Sequence, residues 1–326
     1  MNQNSYFLKT AYFLFAIFMG VFLFFQDPFL PNFFIKGSED WYVNFSVMIF
    51  HPNEAYWNES ILLPLIGKLL GASKSFEGYK VLCAVISISI LPVLAILILG
   101  YFKNIALALI CLITFSISFR YLWNYDLGHP DPLTILLLSS IPFLKDKKSI
   151  FIFTFLASLS HFSMALVAII ELSILSYAFA KINREDRWHW PIALLCGCIA
   201  GRIFLAIWYL IFHYTSPLGR MEFILNSGFL FFYNRYIENI MSFWLTPGIS
   251  FLLINLMIIF LYLFRKNFWL TLSIALTLAM SYGALFITVD GLRVFSVICC
   301  GPYLFLLSRS LNSLKFKAFG VSKNTT

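Results

Sequence analysis

Residues 81–100 read Val-Leu-Cys-Ala-Val-Ile-Ser-Ile-Ser-Ile-Leu-Pro-Val-Leu-Ala-Ile-Leu-Ile-Leu-Gly, twenty positions without a charge. As a helix this run is about 30 Å long, the thickness of a bilayer's hydrocarbon core. Comparable runs lie at 7–25, 105–119, 191–212, 246–264, 268–287 and 294–309. Over all 326 residues 60% are hydrophobic and only 12% charged, with a mean hydropathy of +0.85. A water-soluble domain has too little interior to hide so many apolar side chains, so the solvent is largely lipid. The predicted fold class is all-α, a polytopic integral membrane helical bundle.

Two regions need closer division. Residues 132–144 form a short span between Asp131-Pro132 and the turn Lys145-Asp146-Lys147-Lys148, whereas 149–180 is 32 residues long, too many for one ordinary span. It divides near Ser158-Leu159-Ser160-His161 into two short helices meeting at the far membrane face. The total is about ten membrane segments, some short or re-entrant, with both termini on one side. Residues 61–72, which carry Lys68, suit an interfacial helix under the first outer loop. After Lys9, the run from Thr10 to Phe25 ends in Gln26-Asp27-Pro28 with no small-x-small cleavage site, so it reads as an uncleaved first span. One integral membrane domain is expected over 1–310, followed by a short basic cytoplasmic tail over 311–326.

Charge asymmetry orients the bundle. The side of the termini receives 14 of the 23 Lys and Arg residues but only three acids, Asp146, Glu185 and Asp186. The opposite face receives 11 of the 15 carboxylates, and Glu171 falls inside a span. The termini are therefore expected in the cytoplasm. Lys and Arg outnumber the acids overall, but the excess gathers on one membrane face, and no nucleic-acid partner is expected. The six cysteines, Cys83, Cys111, Cys196, Cys198, Cys299 and Cys300, sit in apolar runs without paired spacing and read as small hydrophobes.

The candidate chemistry lies on the acid-rich outer face. The first outer loop holds the adjacent carboxylates Glu39 and Asp40, followed by Trp41 and Tyr42. Such a pair can accept an alcohol proton or, as oxygen ligands, hold a divalent cation, and the aromatics can stack on a sugar ring. The second outer loop runs from Arg120 through Trp123, Asp126, Gly128, His129 and Pro130 to Asp131-Pro132. Trp123 and the tyrosines also suit an interfacial belt, and Asp131-Pro132 can start a helix as N-cap and first residue, but His129 and Asp126 exceed what capping requires. His161 lies in an otherwise apolar segment at its outer turn, where a polar side chain is costly. In the last outer turn, Asp290 precedes Arg293 by three residues. Arg293 can hold a phosphate with its planar fork, or merely pair with Asp290. Arg220 and Arg235, in the long outer loop 213–245, are further phosphate contacts. Glu171 and Arg202 need partners inside the bundle, and pairing with each other would provide them.

The acidic pair after the first span, the segment His129-Pro130-Asp131-Pro132-Leu133-Thr134 opening a short span, Leu156-Ala157-Ser158-Leu159-Ser160-His161-Phe162 after a basic turn, and Asp290-Gly291-Leu292-Arg293 before the last span together resemble polytopic glycosyltransferases of the GT-C superfamily and Wzy-type polysaccharide (O-antigen) polymerases. The resemblance is architectural and covers most of the chain. It implies an outer-face active-site cavity, a polyprenyl-phosphate or -pyrophosphate sugar donor entering from the membrane lipid, and a glycan or lipid-linked acceptor. It also implies a place in the bacterial inner membrane and a role in cell-surface polysaccharide assembly. By position, Glu39 or Asp40 would be the base for the acceptor hydroxyl, while Arg293, aided by His129 and Arg120, would stabilise the departing phosphate. Two other classes stay open: a lipid-linked-oligosaccharide transporter or flippase, and a membrane acyltransferase using His129 or His161 as base.

Overall fold

A computed structural model describes residues 3–26, 40–50, 59–119, 128–183, 189–213, 220–285, 288 and 291–318. Among them there is no strand. Thirteen helices follow one another: α1 Gln3–Phe25, α2 Asp40–Val47, α3 Leu62–Leu69, α4 Phe76–Phe102, α5 Ile105–Ser118, α6 Asp131–Ser140, α7 Lys147–Ser160, α8 Phe162–Asn183, α9 His189–Ile211, α10 Arg220–Leu245, α11 Pro247–Phe264, α12 Phe268–Ala284 and α13 Gly291–Ala318. Six of these, α1, α4, α8, α9, α11 and α13, are long and apolar enough to cross a membrane, and α5, α6 with its 3-10 extension to Phe143, and α12 are shorter apolar helices. The chain is thus an all-helical protein built as an integral membrane protein requires.

Starts and stops follow local chemistry. Ser75, Asn104, Asp146 and Asn267 each accept a hydrogen bond from the backbone N–H three residues on, satisfying one orphan donor of α4, α5, α7 and α12 respectively. Ser149 holds the exposed Asp146 carboxylate below its ordinary pKa by these bonds. α7 ends at Ser160 and α8 begins at Phe162, with His161 extended between them, so the long apolar run breaks where the sequence indicates. Only the first half is short; α8 has 22 residues.

Other expectations change. The segment 213–245 is not simply a loop: α10 fills most of it, bending at Gly228, whose φ of 77° is comfortable only for glycine. The first outer segment contains the short helix α2. The helix that begins at Gly291 does not stop near 310 but runs on to Ala318. Ser313 there accepts from Lys266 Nζ at 3.4 Å and lies 3.0 Å from Tyr262 Oη, so the start of the tail is packed.

α13 is the central column, with 89% of its apolar window buried against 28% for α1 and α9. α7 and α9 pack closely because Gly197 and Gly201, four residues apart, let the backbones approach. A Cβ on Gly201 would sit 2.6 Å from Ser158 Cβ, and one on Gly197 2.7 Å from the Phe151 carbonyl. Large side chains such as Phe18, Ile96, Ile199, Ile207, Met257 and Trp269 stay exposed on outer helices, an arrangement stable only in lipid. Of the cysteines, Cys196 is exposed and the other five are buried, all as free thiols.

Candidate functional site

Three segments far apart in sequence meet at one end of the bundle. The first is 128–131. Gly128 has φ 116°, a conformation open to glycine, and the chain passes through His129 and Pro130 directly into α6. Asp131 is the first residue of that helix, after Pro130 as N-cap, and its carboxylate caps nothing. The second segment is the α7–α8 break. Ser160 Oγ lies 2.8 Å from Thr134 Oγ1 and donates to the Pro130 carbonyl at 3.3 Å, which clamps the residue before His161 to the start of α6. His161 is thereby within electrostatic reach of the Asp131 carboxylate, as is His129.

The third segment is the first turn of α13. Arg293 Nη1 donates to Asp131 Oδ2 at 2.6 Å and lies 3.3 Å from His129 Nδ1. A guanidinium can only donate, so in that contact Nδ1 accepts and the neutral ring carries its proton on Nε2. The ion pair is shielded from solvent: its side chains are 13% and 4% exposed. Tyr42 of α2 packs on His129 with ring centroids 4.8 Å apart, bringing α2 to the same end.

Arg293 pairs with Asp131, 162 residues away on another helix; the other partner weighed for it, Asp290, lies outside the described residues. A surface pair three residues apart is worth about 0–1 kcal/mol. Removing one partner of a buried pair costs about 3–5 kcal/mol because the other charge stays uncompensated. Loss of activity on removing Arg293 therefore reports chemistry only when folding is measured beside it.

Of the residues singled out from sequence, His129, Asp131, His161 and Arg293 are brought together. Asp40 and Trp41 open α2, and Arg220 and Arg235 lie on α10, with their side chains outside the described residues; Glu39, Arg120, Trp123, Asp126 and Asp290 lie outside them entirely. The outer-face cavity is expected around loops of which 27–39, 51–58 and 120–127 lie outside the described residues. Among the described residues no group of three or more His, Cys, Asp or Glu is gathered to hold a metal ion.

The proposed Glu171–Arg202 pair does not form. Glu171, 1% exposed, accepts from Ser281 Oγ at 2.6 Å, while Arg202 lies 4.0 Å from Glu59 and over the Phe162 ring. The two helices touch, but Glu171 faces the bundle and the Arg202 side chain is half exposed on the outside.

Two contributors escaped the sequence. Asn239 of α10 donates to the carbonyls of Leu285 at 3.4 Å and Thr288 at 3.3 Å and accepts from Gly291 N at 3.2 Å, tying down the turn that presents Arg293. Gly291 has to be small: a Cβ there would meet the Asn239 side chain at 2.6 Å. Lys80 of α4 is 1% exposed, with Nζ 4.3 Å from the Phe76 ring centre, one turn before Cys83, which lies against the Gly128 backbone. A lysine counted as a flank of an apolar run gives no sequence sign that it will be buried.

No protein-family model matches the chain, and neither a curated protein nor a solved structure is significantly similar to it.

Proposed function

We propose that the chain is a membrane glycosyltransferase or polysaccharide polymerase that takes sugar or oligosaccharide units from a polyprenyl-(pyro)phosphate carrier on the outer face of a bacterial inner membrane. In this reading about ten membrane segments, some of them short or re-entrant, build the bundle, both termini are cytoplasmic, and Arg293 stands at the outer surface. The observation that carries it is the shielded Arg293–Asp131 pair with His129 and His161 beside it, assembled from three segments at the end where α2 brings Asp40. Charged groups held out of water are costly and mark function more often than stability.

The chemistry divides along those groups. The acceptor hydroxyl oxygen attacks the anomeric carbon while the bond from that carbon to the phosphate oxygen breaks. The acceptor's proton passes to Glu39 or Asp40, and the polyprenyl (pyro)phosphate leaves as an anion. A cation fixed beforehand near the leaving phosphate lowers the barrier because its charge complements what develops in the transition state. Asp131 and His129, which both contact Nη1, hold the Arg293 side chain in place.

Purified protein in lipid should turn over polyprenyl-linked glycans and not nucleotide sugars. Efficient turnover of a nucleotide sugar alone excludes the reading. The placement of His129 and His161 around one carboxylate also favours a second reading, a membrane acyltransferase in which an imidazole is the base for a hydroxyl acceptor. Transfer from an acyl donor, with no product from a polyprenyl-linked glycan, would select it.

A further inference from the structure

α1 and α4 pack antiparallel. A Cβ on Gly20 would lie 2.7 Å from the Ile88 carbonyl, and stepping about 16 Å back along α1 and forward along α4 brings Lys9 level with Leu99. There the helices diverge around a cleft of about 1130 Å³ that also takes in the α4–α5 corner. It lies at the end of the bundle away from Arg293: Arg309, some 24 Å further along α13, lies over the Tyr101 ring beside Gly100.

From the cleft's walls we infer that it binds an anionic glycerophospholipid, with the phosphate between Lys9 and Lys103 and the acyl chains along Phe13, Ile96 and Leu99. Both lysines line the cleft and are exposed, and neither is in an ion pair among the described residues. Lys103 occupies a left-handed position, φ 53°, where a helix end usually places glycine, so the corner keeps a cation at a backbone cost. Gly100 has nothing within 4 Å of where a Cβ would stand, so this glycine serves no helix contact and leaves the floor of the cleft open. Two cations at the rim of an apolar groove match a phosphate headgroup joined to acyl chains, and the volume exceeds that of a drug-sized pocket. The inference needs only that the helices lie in lipid, and it stands apart from the proposed activity.

Native mass spectrometry of the full chain, released from micelles carrying equimolar phosphatidylglycerol and phosphatidylcholine, tests it. Phosphatidylglycerol should be retained in preference, and inorganic phosphate at millimolar concentration should not displace it. Lys9→Gln with Lys103→Gln should reduce its retention about tenfold. Gly100→Leu, which fills the cleft without touching a charge, should abolish retention at unchanged thermal stability. Equal retention of the two lipids, undiminished retention in Gly100→Leu, displacement by inorganic phosphate, or preferential replacement by a polyprenyl phosphate would each overturn it.

Discussion

Asp131 and Glu171 are both carboxylic acids, both almost wholly buried, and differ in what faces them. Asp131 meets a guanidinium at 2.6 Å, with two imidazoles nearby. Glu171 meets the Ser281 hydroxyl at 2.6 Å, and behind it the Cys299 thiol donates to Ser281 at 3.2 Å; no cation approaches it among the described residues. A chain of neutral donors satisfies a carboxyl group and ties α8, α12 and α13 together. An ion pair does that less economically, because two ions must be stripped of water to form it. The neutral arrangement suffices for packing at Glu171, and the proposed function gives the ion pair at Asp131 a role beyond packing.

The largest effect should come from breaking the pair on one side. Arg293→Ala leaves the Asp131 carboxylate buried without its cation and should cost about 3–5 kcal/mol, read as a fall in thermal midpoint in detergent or lipid. A loss below about 1 kcal/mol would mean that the pair behaves as an exposed one and would erase the distinction.

Asn239→Ala should come next. It removes three hydrogen bonds around the turn before α13, leaves buried carbonyls unpaired, and should cost about 1–3 kcal/mol. Because that turn presents Arg293, turnover should fall further than the loss of folded protein accounts for. A fall in stability with unchanged turnover per folded molecule would restrict Asn239 to packing.

Ser281→Ala takes the donor from Glu171 and should also cost about 1–3 kcal/mol, toward the lower end because the neighbouring thiol can turn to replace it. Glu171→Gln should have the smallest effect, below about 1 kcal/mol, since an amide oxygen accepts from Ser281 as a carboxyl oxygen does. Loss of activity in a stable Glu171→Gln protein would show that this carboxyl belongs to the chemistry, and the comparison would fail.

These contrasts also show what the sequence could convey. The break at His161 was legible because serines and a histidine interrupt a run too long for one span, and local composition decides where a helix stops. Arg293, His129, Asp131 and His161 were legible as candidates because polar residues are rare in so apolar a chain. Their partners were not. Asp131, the partner of Arg293, lies 162 residues away, and no local spacing could announce it, because partnership across a bundle depends on which helices are neighbours. The Glu171–Arg202 pairing failed for a related reason: adjacent helices can turn one side chain inward and the other outward. α10 was hidden as well, since its polar residues make it too hydrophilic for a span, and helix propensity alone is a weak signal.

The most direct test of the central claim, that the Arg293–Asp131 cluster is a reactive site, is the double variant Asp131→Asn with Arg293→Gln. Neutralising both partners together leaves no uncompensated ion, so the fold should survive where the single Arg293 variant suffers. Turnover of a polyprenyl-linked glycan, measured per folded molecule in lipid, should then drop by about a hundredfold or more at a near wild-type thermal midpoint. Turnover close to wild type in that stable protein would make the pair a structural clamp and contradict the account.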